Sequence, residues 1–314
     1  MPDRRLLVLA CLLVAVSLLF LGWGLTGRVW LILEMRSVKL AGLILVGFSV
    51  GVATVMFQTI SGNRILTPAI MGFDALFLLL QTSLVFTLGG FGYAQLPGTM
   101  TFMMNMLVMM GAAMLLFGLL LSRNRHDIQL MILVGVICGL LFRSLTSFFQ
   151  RMIDPSEFAM VQGAMFASFG AIDTTQLMIS TAVFAVVSVV VWRNLAKLDV
   201  VSLGRSTAIS LGLPYDRIQM GVLVMVAALV SVSTALVGPI TFLGLLVASL
   251  AHILMKTHRH VLLLPAAALI SATVLVAGQT VFERMFRMQS TLAVVIEFFG
   301  GLLFLYLVAN GRVR

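Results

Sequence analysis

Apolar residues run without a charged interruption through 6–27, 40–63, 75–122, 218–255 and 261–282. Crossing the hydrocarbon core as a helix takes about 20 apolar residues. A lipid-embedded backbone must satisfy its own amides, as helices and closed barrels do. Barrel strands alternate in segments of about ten residues. These runs are continuous and longer, so they predict helices. The longest runs divide at turn residues, at Gly89-Gly90-Phe91-Gly92, Pro97-Gly98 and Gly238-Pro239. The pattern predicts about ten spans, roughly 6–26, 39–60, 68–88, 99–121, 128–149, 175–193, 217–237, 241–256, 261–281 and 290–310. The mixed stretch 150–174 (Arg151, Asp154, Pro155, Glu157, Asp173) predicts a loop with a short interfacial helix.

Composition turns this pattern into a class. Of 314 residues, 61% are hydrophobic and 10% charged, against about one-quarter charged in a soluble domain. The chain reads as a single all-α polytopic membrane domain over residues 1–314. Its net charge of +9 comes from basic residues at span ends, so it implies no nucleic-acid partner. Arg4 and Arg5 before an apolar run imitate a signal peptide. That run is long enough to span and lacks a clear small-x-small cleavage site, so it reads as an uncleaved first helix. Cys11 and Cys138 both fall in spans and read as small buried hydrophobes, with no disulfide framework or CxxC pattern.

Ten spans put both ends on one side. With the N-terminus inside, 13 of the 20 Lys and Arg residues fall inside, and basic residues favour the cytoplasm. The N-in, C-in arrangement makes 194–216, between spans six and seven, the longest cytoplasmic loop. Ser202 or Ser206 is placed to cap a short helix there, and Gly212 with Pro214 to end it. The loop reads either as a docking surface or as a plain connector.

Three blocks carry a family resemblance: Val46-Gly47, Gln58, Asn63-Arg64-x-Leu66-x-Pro68 and Met71-Gly72; Leu203-Gly204-x-x-x-Ala208-x-x-Leu211-Gly212-Leu213-Pro214; and Gly238-Pro239-Ile240-x-Phe242-x-Gly244-Leu245. Together with Gly300-Gly301-Leu302-Leu303-Phe304-Leu305 they resemble the permease family of iron-chelate, haem and cobalamin ABC importers, most of all the ferric siderophore permeases. Where the family often has Pro-His, this chain has Ala248-Ser249-Leu250-Ala251-His252. The resemblance implies a type II importer permease fold and a pore of two permeases, with a heterodimer favoured. It also implies two copies of a cytosolic ATPase, a periplasmic or surface siderophore-binding protein and a place in the bacterial inner membrane.

The same resemblance gives Leu203, Gly204, Ala208, Leu211, Gly212, Leu213 and Pro214 the role of coupling to the ATPase. The glycines permit close approach or tight turns; the alternative is that they only end helices. Arg36 and Lys39, read as lying just outside span two, share one helical face and match a basic pair that docks the binding protein. Arg284 and Arg287 face the same side, and Glu283 is placed to neutralise one of them. Snorkelling anchors are the alternative for Arg36 and Lys39.

Asp74 and Glu297 are acids in or near spans, which makes them functional candidates by default. With Gln58 and Phe242 they form a candidate translocation path. Asp74 is alternatively a helix cap at a backbone break, and Glu297 a partner for Arg287 or another subunit. His126, His258 and His260 read as solvated loop charge and His252 as a span-end residue, giving no metal site. The dense methionines read as packing. No phosphate loop appears, so the chain is not an ATPase and carries no cofactor of its own. An ion-coupled secondary transporter is the competing class. An intramembrane enzyme would need paired catalytic groups at helical spacing, and none are present.

Overall fold

The computed structural model describes residues 2–25, 28–123, 128–164, 166–170, 172–284 and 292–309. Among them every regular element is helical: α1 (Pro2–Gly22), α2 (Val29–Ser61), α3 (Phe73–Ala94), α4 (Gly98–Arg123), α5 (Ile128–Met152), α6 (Pro155–Ala164), α7 (Thr174–Val201), α8 (Arg205–Ser210), α9 (Tyr215–Val237), α10 (Leu243–Met255), α11 (His260–Arg284) and α12 (Leu292–Ala309). A 3-10 turn, Pro68–Met71, precedes α3. Eight of these helices are long and apolar enough to cross a membrane. Two shorter apolar helices, Leu243–Met255 and Ala293–Leu302, coincide with the eighth and tenth segments of the hydropathy pattern.

Helices α2 and α9 form the centre. Their apolar windows are each 72% buried, and α2 packs most extensively against α11. Lipid tails are as apolar as leucine, so helices in a bilayer associate through close packing of small residues. Gly47 and Gly51 supply it here: a Cβ on Gly47 would stand 2.6 Å from Ala272 Cα, and one on Gly51 2.7 Å from the Ala267 carbonyl oxygen. Phe57, Met56, Leu223, Leu243 and Leu263 are among the largest fully buried side chains of the bundle. By contrast α1 leaves Leu7, Val14 and Leu18 exposed, as a lipid-facing helix does.

Three local features differ from the sequence reading, and the break at the glycine cluster agrees with it. Helix α2 begins at Val29, so Arg36 and Lys39 sit within it rather than outside its start. The break predicted at the glycine cluster is present: Gly89 (φ 68°) leaves helical geometry and divides α3 in two, the second part running to Ala94. The amide of Gly90 donates instead to Glu157 Oε1 of α6, at 2.7 Å. Glu157 thereby takes an amide that the break leaves without a helical partner. Helix α7 runs on to Val201, which makes the first turns of the 194–216 loop helical. Cys11 is exposed rather than buried.

Side-chain links sort the bundle into two ends. One end gathers Arg5, bound to the Leu254 carbonyl, with the end of α2, the end of α7 and the start of α11. The other gathers the C-terminus of α1, Arg36, Lys39 and Glu283. There the segment 166–170 closes α9, with the Ser168 amide donating to the Val237 carbonyl at 2.7 Å. Asp173 caps α7 by accepting from the amides of Thr175 and Gln176. The Thr175 amide, then that of Gln176, holds its carboxyl below the usual range.

Candidate coupling and translocation sites

The segment between α7 and α9 is ordered by two glycines. Gly204 (φ 99°) and Gly212 (φ 82°) bracket α8 in the left-handed region. A Cβ at either would meet nothing within 4 Å, so they serve turns rather than close approach. Gly204 itself starts the helix with no side-chain cap; Ser202 Oγ donates back to the Asp199 carbonyl instead. Helix α8 ends at Ser210, and Pro214 leads into α9. Ala208 is fully buried against Val201 and Tyr215, and Arg205 pairs with Asp216 at 3.3 Å. With one face so anchored, the opposite face carries Leu203 (62% exposed), Ile209 (47%) and Leu211 (62%). Charged and polar neighbours flank these apolar residues, the pattern expected of a surface that another protein covers.

Two backbone breaks meet inside the bundle. One is the turn before α3, where Gly72 (φ 97°) packs on Gly139 of α5 with no room for a Cβ. The other is the stretch between Val237 and Leu243. Asp74, in the first turn of α3, accepts a 2.8 Å hydrogen bond from Thr241 Oγ1 in that stretch. Arg143 of α5 and Glu297 of α12 interact electrostatically with Asp74. Phe242 packs against Gly300, where an added Cβ would stand 2.5 Å from the Phe242 Cβ. Asp74 and Thr241 line a small cavity together with Thr54, Thr67 and Ser233; Glu297 is linked to it through Asp74, and Phe242 adjoins Thr241 in the same break. Gln58 stands apart, at the end of α2, where its amide donates to the Arg64 carbonyl at 2.6 Å. Thr241 and Arg143 escaped the sequence reading. The Gly238-Pro239 break is the signal for Thr241, because it strips helical partners from the residues that follow.

At the bundle end away from α8, Arg36 is 9% exposed. Its guanidinium donates to the carbonyls of Leu21, Trp23 and Gly24, at 2.7, 3.0 and 3.3 Å. It thus satisfies the open C-terminus of α1 and is not a free surface charge. Lys39 pairs with Glu283, which also accepts from Gln279. Lys39, Arg284 and the segment around Phe169 and Gly170 border a groove of about 730 Å³. Arg287 lies outside the described residues.

His260 also departs from expectation. It is 2% exposed rather than solvated, and Asp199 holds it from α7.

Comparison with known proteins agrees with this architecture. The petrobactin import system permease protein YclO of Bacillus subtilis (strain 168) is 43% identical over 276 residues, covering 88% of each chain. FatC, a petrobactin import system permease protein of Bacillus anthracis, is 34% identical over 90% of this chain and 79% of its own. The vitamin B12 import system permease protein BtuC of Vibrio parahaemolyticus is 26% identical over 87% and 84%. A solved inward-facing metal-chelate type ABC transporter superposes with a TM-score of 0.84 over 98% of this chain and 99% of that one, at 23% identity, a likeness of fold. A family model matches residues 6–310, and the chain belongs to that family, the FecCD transport family of ABC permeases.

Proposed function

We propose that this chain is the permease of a binding-protein-dependent ABC importer that carries a ferric siderophore into the cytoplasm. The observation that carries the reading is the exposed apolar face of α8, held rigid by Ala208 and the Arg205–Asp216 pair. A soluble ATPase pressing on that face would move the ends of α7 and α9 as its nucleotide sites close, and the spans would rock with them. The likeness to petrobactin permeases over most of both chains supports an iron chelate as cargo. Haem and cobalamin remain the alternative cargoes within the same reading.

In this account α8 faces the cytoplasm and the groove beside Lys39 and Arg284 faces out, toward a binding protein with acidic residues at its rim. Arg36 supports that face from beneath by fixing the end of α1. Asp74, Phe242 and Glu297 stand beside the translocation path, where two helix breaks give the backbone freedom to shift. A second, related permease completes the pore, two ATPase subunits drive it, and the assembly sits in the bacterial inner membrane.

The chain is expected to co-purify with a cytosolic ATPase when expressed with its partners, and cellular uptake of the chelate should stop with vanadate. If no ATPase accompanies it, and uptake ignores vanadate but collapses with an ionophore, the buried acids would be serving an ion-coupled transporter instead.

A further inference from the structure

Outside the sites above, three helices are joined by one histidine. Asp199, in the last turn of α7, accepts from both the backbone amide of His260 at 2.7 Å and its Nδ1 at 2.6 Å. A carboxylate can only accept, so Nδ1 is the donor. The opposite ring nitrogen, Nε2, lies 2.7 Å from Thr59 Oγ1 at the end of α2. The imidazole is 2% exposed and Asp199 about one-third exposed, so water competes poorly for the ring. Asp199 also caps the first turn of α11, where amides lack helical partners.

The position of this clasp gives it mechanical meaning. Asp199 stands three residues before Ser202, whose hydroxyl donates to the Asp199 carbonyl at 2.6 Å, and α8 begins just beyond. On the other side, α2 and α11 are in backbone contact along the Gly47 and Gly51 seam. A displacement of α8 therefore has a short, hydrogen-bonded route into the most closely packed helix pair of the bundle.

We propose that Asp199, His260 and Thr59 are positioning residues that transmit movement of the α8 segment to α2 and α11, so that ATP hydrolysis is converted into transport. This rests on the reading of α8 as the ATPase-coupling element. No hydrolytic chemistry is implied: the single Thr59 hydroxyl proton is shared between His260 Nε2 and the Val55 carbonyl, 2.8 Å away, and none of the three residues lines the translocation cavity.

The test uses the whole importer in proteoliposomes and measures chelate transported per ATP hydrolysed. Asp199→Asn and Thr59→Val are expected to leave ATP hydrolysis within about twofold while the transport-to-hydrolysis ratio falls about tenfold, with Thr59→Ser restoring it. The two variants combined should lose no more than one alone, because both cut the same route. A Leu211→Cys cross-link to the ATPase controls for the underlying reading and should form in every variant. If that cross-link fails in the otherwise unaltered importer, the coupling reading falls and the clasp with it. If it forms and the ratio is unchanged in Asp199→Asn and Thr59→Val, or Thr59→Ser fails to restore it, the clasp alone is overturned.

Discussion

Gly47→Val is expected to destabilise the permease by about 3 kcal/mol, the upper end of what overpacking costs when neighbours cannot yield. The neighbour here is backbone. A Cβ at position 47 would stand 2.6 Å from Ala272 Cα and 2.7 Å from its nitrogen, and no rotamer change relieves that. The helices would have to part along α2 and α11, the most extensively packed pair. Gly221→Ala in α9 is the control, since a Cβ there meets nothing within 4 Å. Detergent-solubilised Gly47→Val should unfold at markedly lower temperature and give little uptake, whereas Gly221→Ala should match the parent. Equal melting of the two variants would contradict the close-packed seam.

The second large effect belongs to α8. Leu203→Asp with Leu211→Asp should leave the folded permease in the membrane, because both side chains are 62% exposed and support nothing beneath them. An apolar anchor at the centre of an interface contributes about 2 kcal/mol, roughly thirtyfold in affinity. Losing two such anchors should abolish ATPase co-purification and bring uptake to background. Gly212→Val attacks the same surface by another route. There is space for the side chain, but a left-handed backbone costs a non-glycine residue roughly 1–2 kcal/mol, and a β-branched one suffers most. Normal uptake with a stable ATPase complex in the double variant would remove α8 from the coupling role.

How far the fold could be read in the sequence depended on how local each cause is. Apolar runs lie in the chain itself, so the helical segments were legible. So was the break at Gly238-Pro239, because proline and glycine act on their own backbone. The break at Gly89 was legible on the same ground. What the sequence could not show is the acceptor of the freed Gly90 amide, since Glu157 stands 67 positions away. Arg36 and Lys39 look like loop charges until the open carbonyls of α1 and the carboxylate of Glu283 are brought beside them.

The candidate sites divide the same way. The α8 segment was legible because its glycines and spacing are local. Asp74 and Glu297 stood out because acids in apolar runs are costly. Thr241 and Arg143 are ordinary residues until the fold sets them near Asp74. His260 lies among Lys256, His258 and Arg259 and reads as solvated; only its distant partners, Asp199 and Thr59, reveal that it is buried.

The central claim is ATP-driven import of an iron chelate through this chain. Its most direct measurement reconstitutes the permease pair with the ATPase and binding protein in vesicles and follows radioiron carried by ferric petrobactin, with a ferric hydroxamate and cobalamin in parallel. The account predicts accumulation of an iron chelate only when ATP and the binding protein are both present, with cobalamin excluded. Accumulation without ATP, or of cobalamin in place of either chelate, would contradict it.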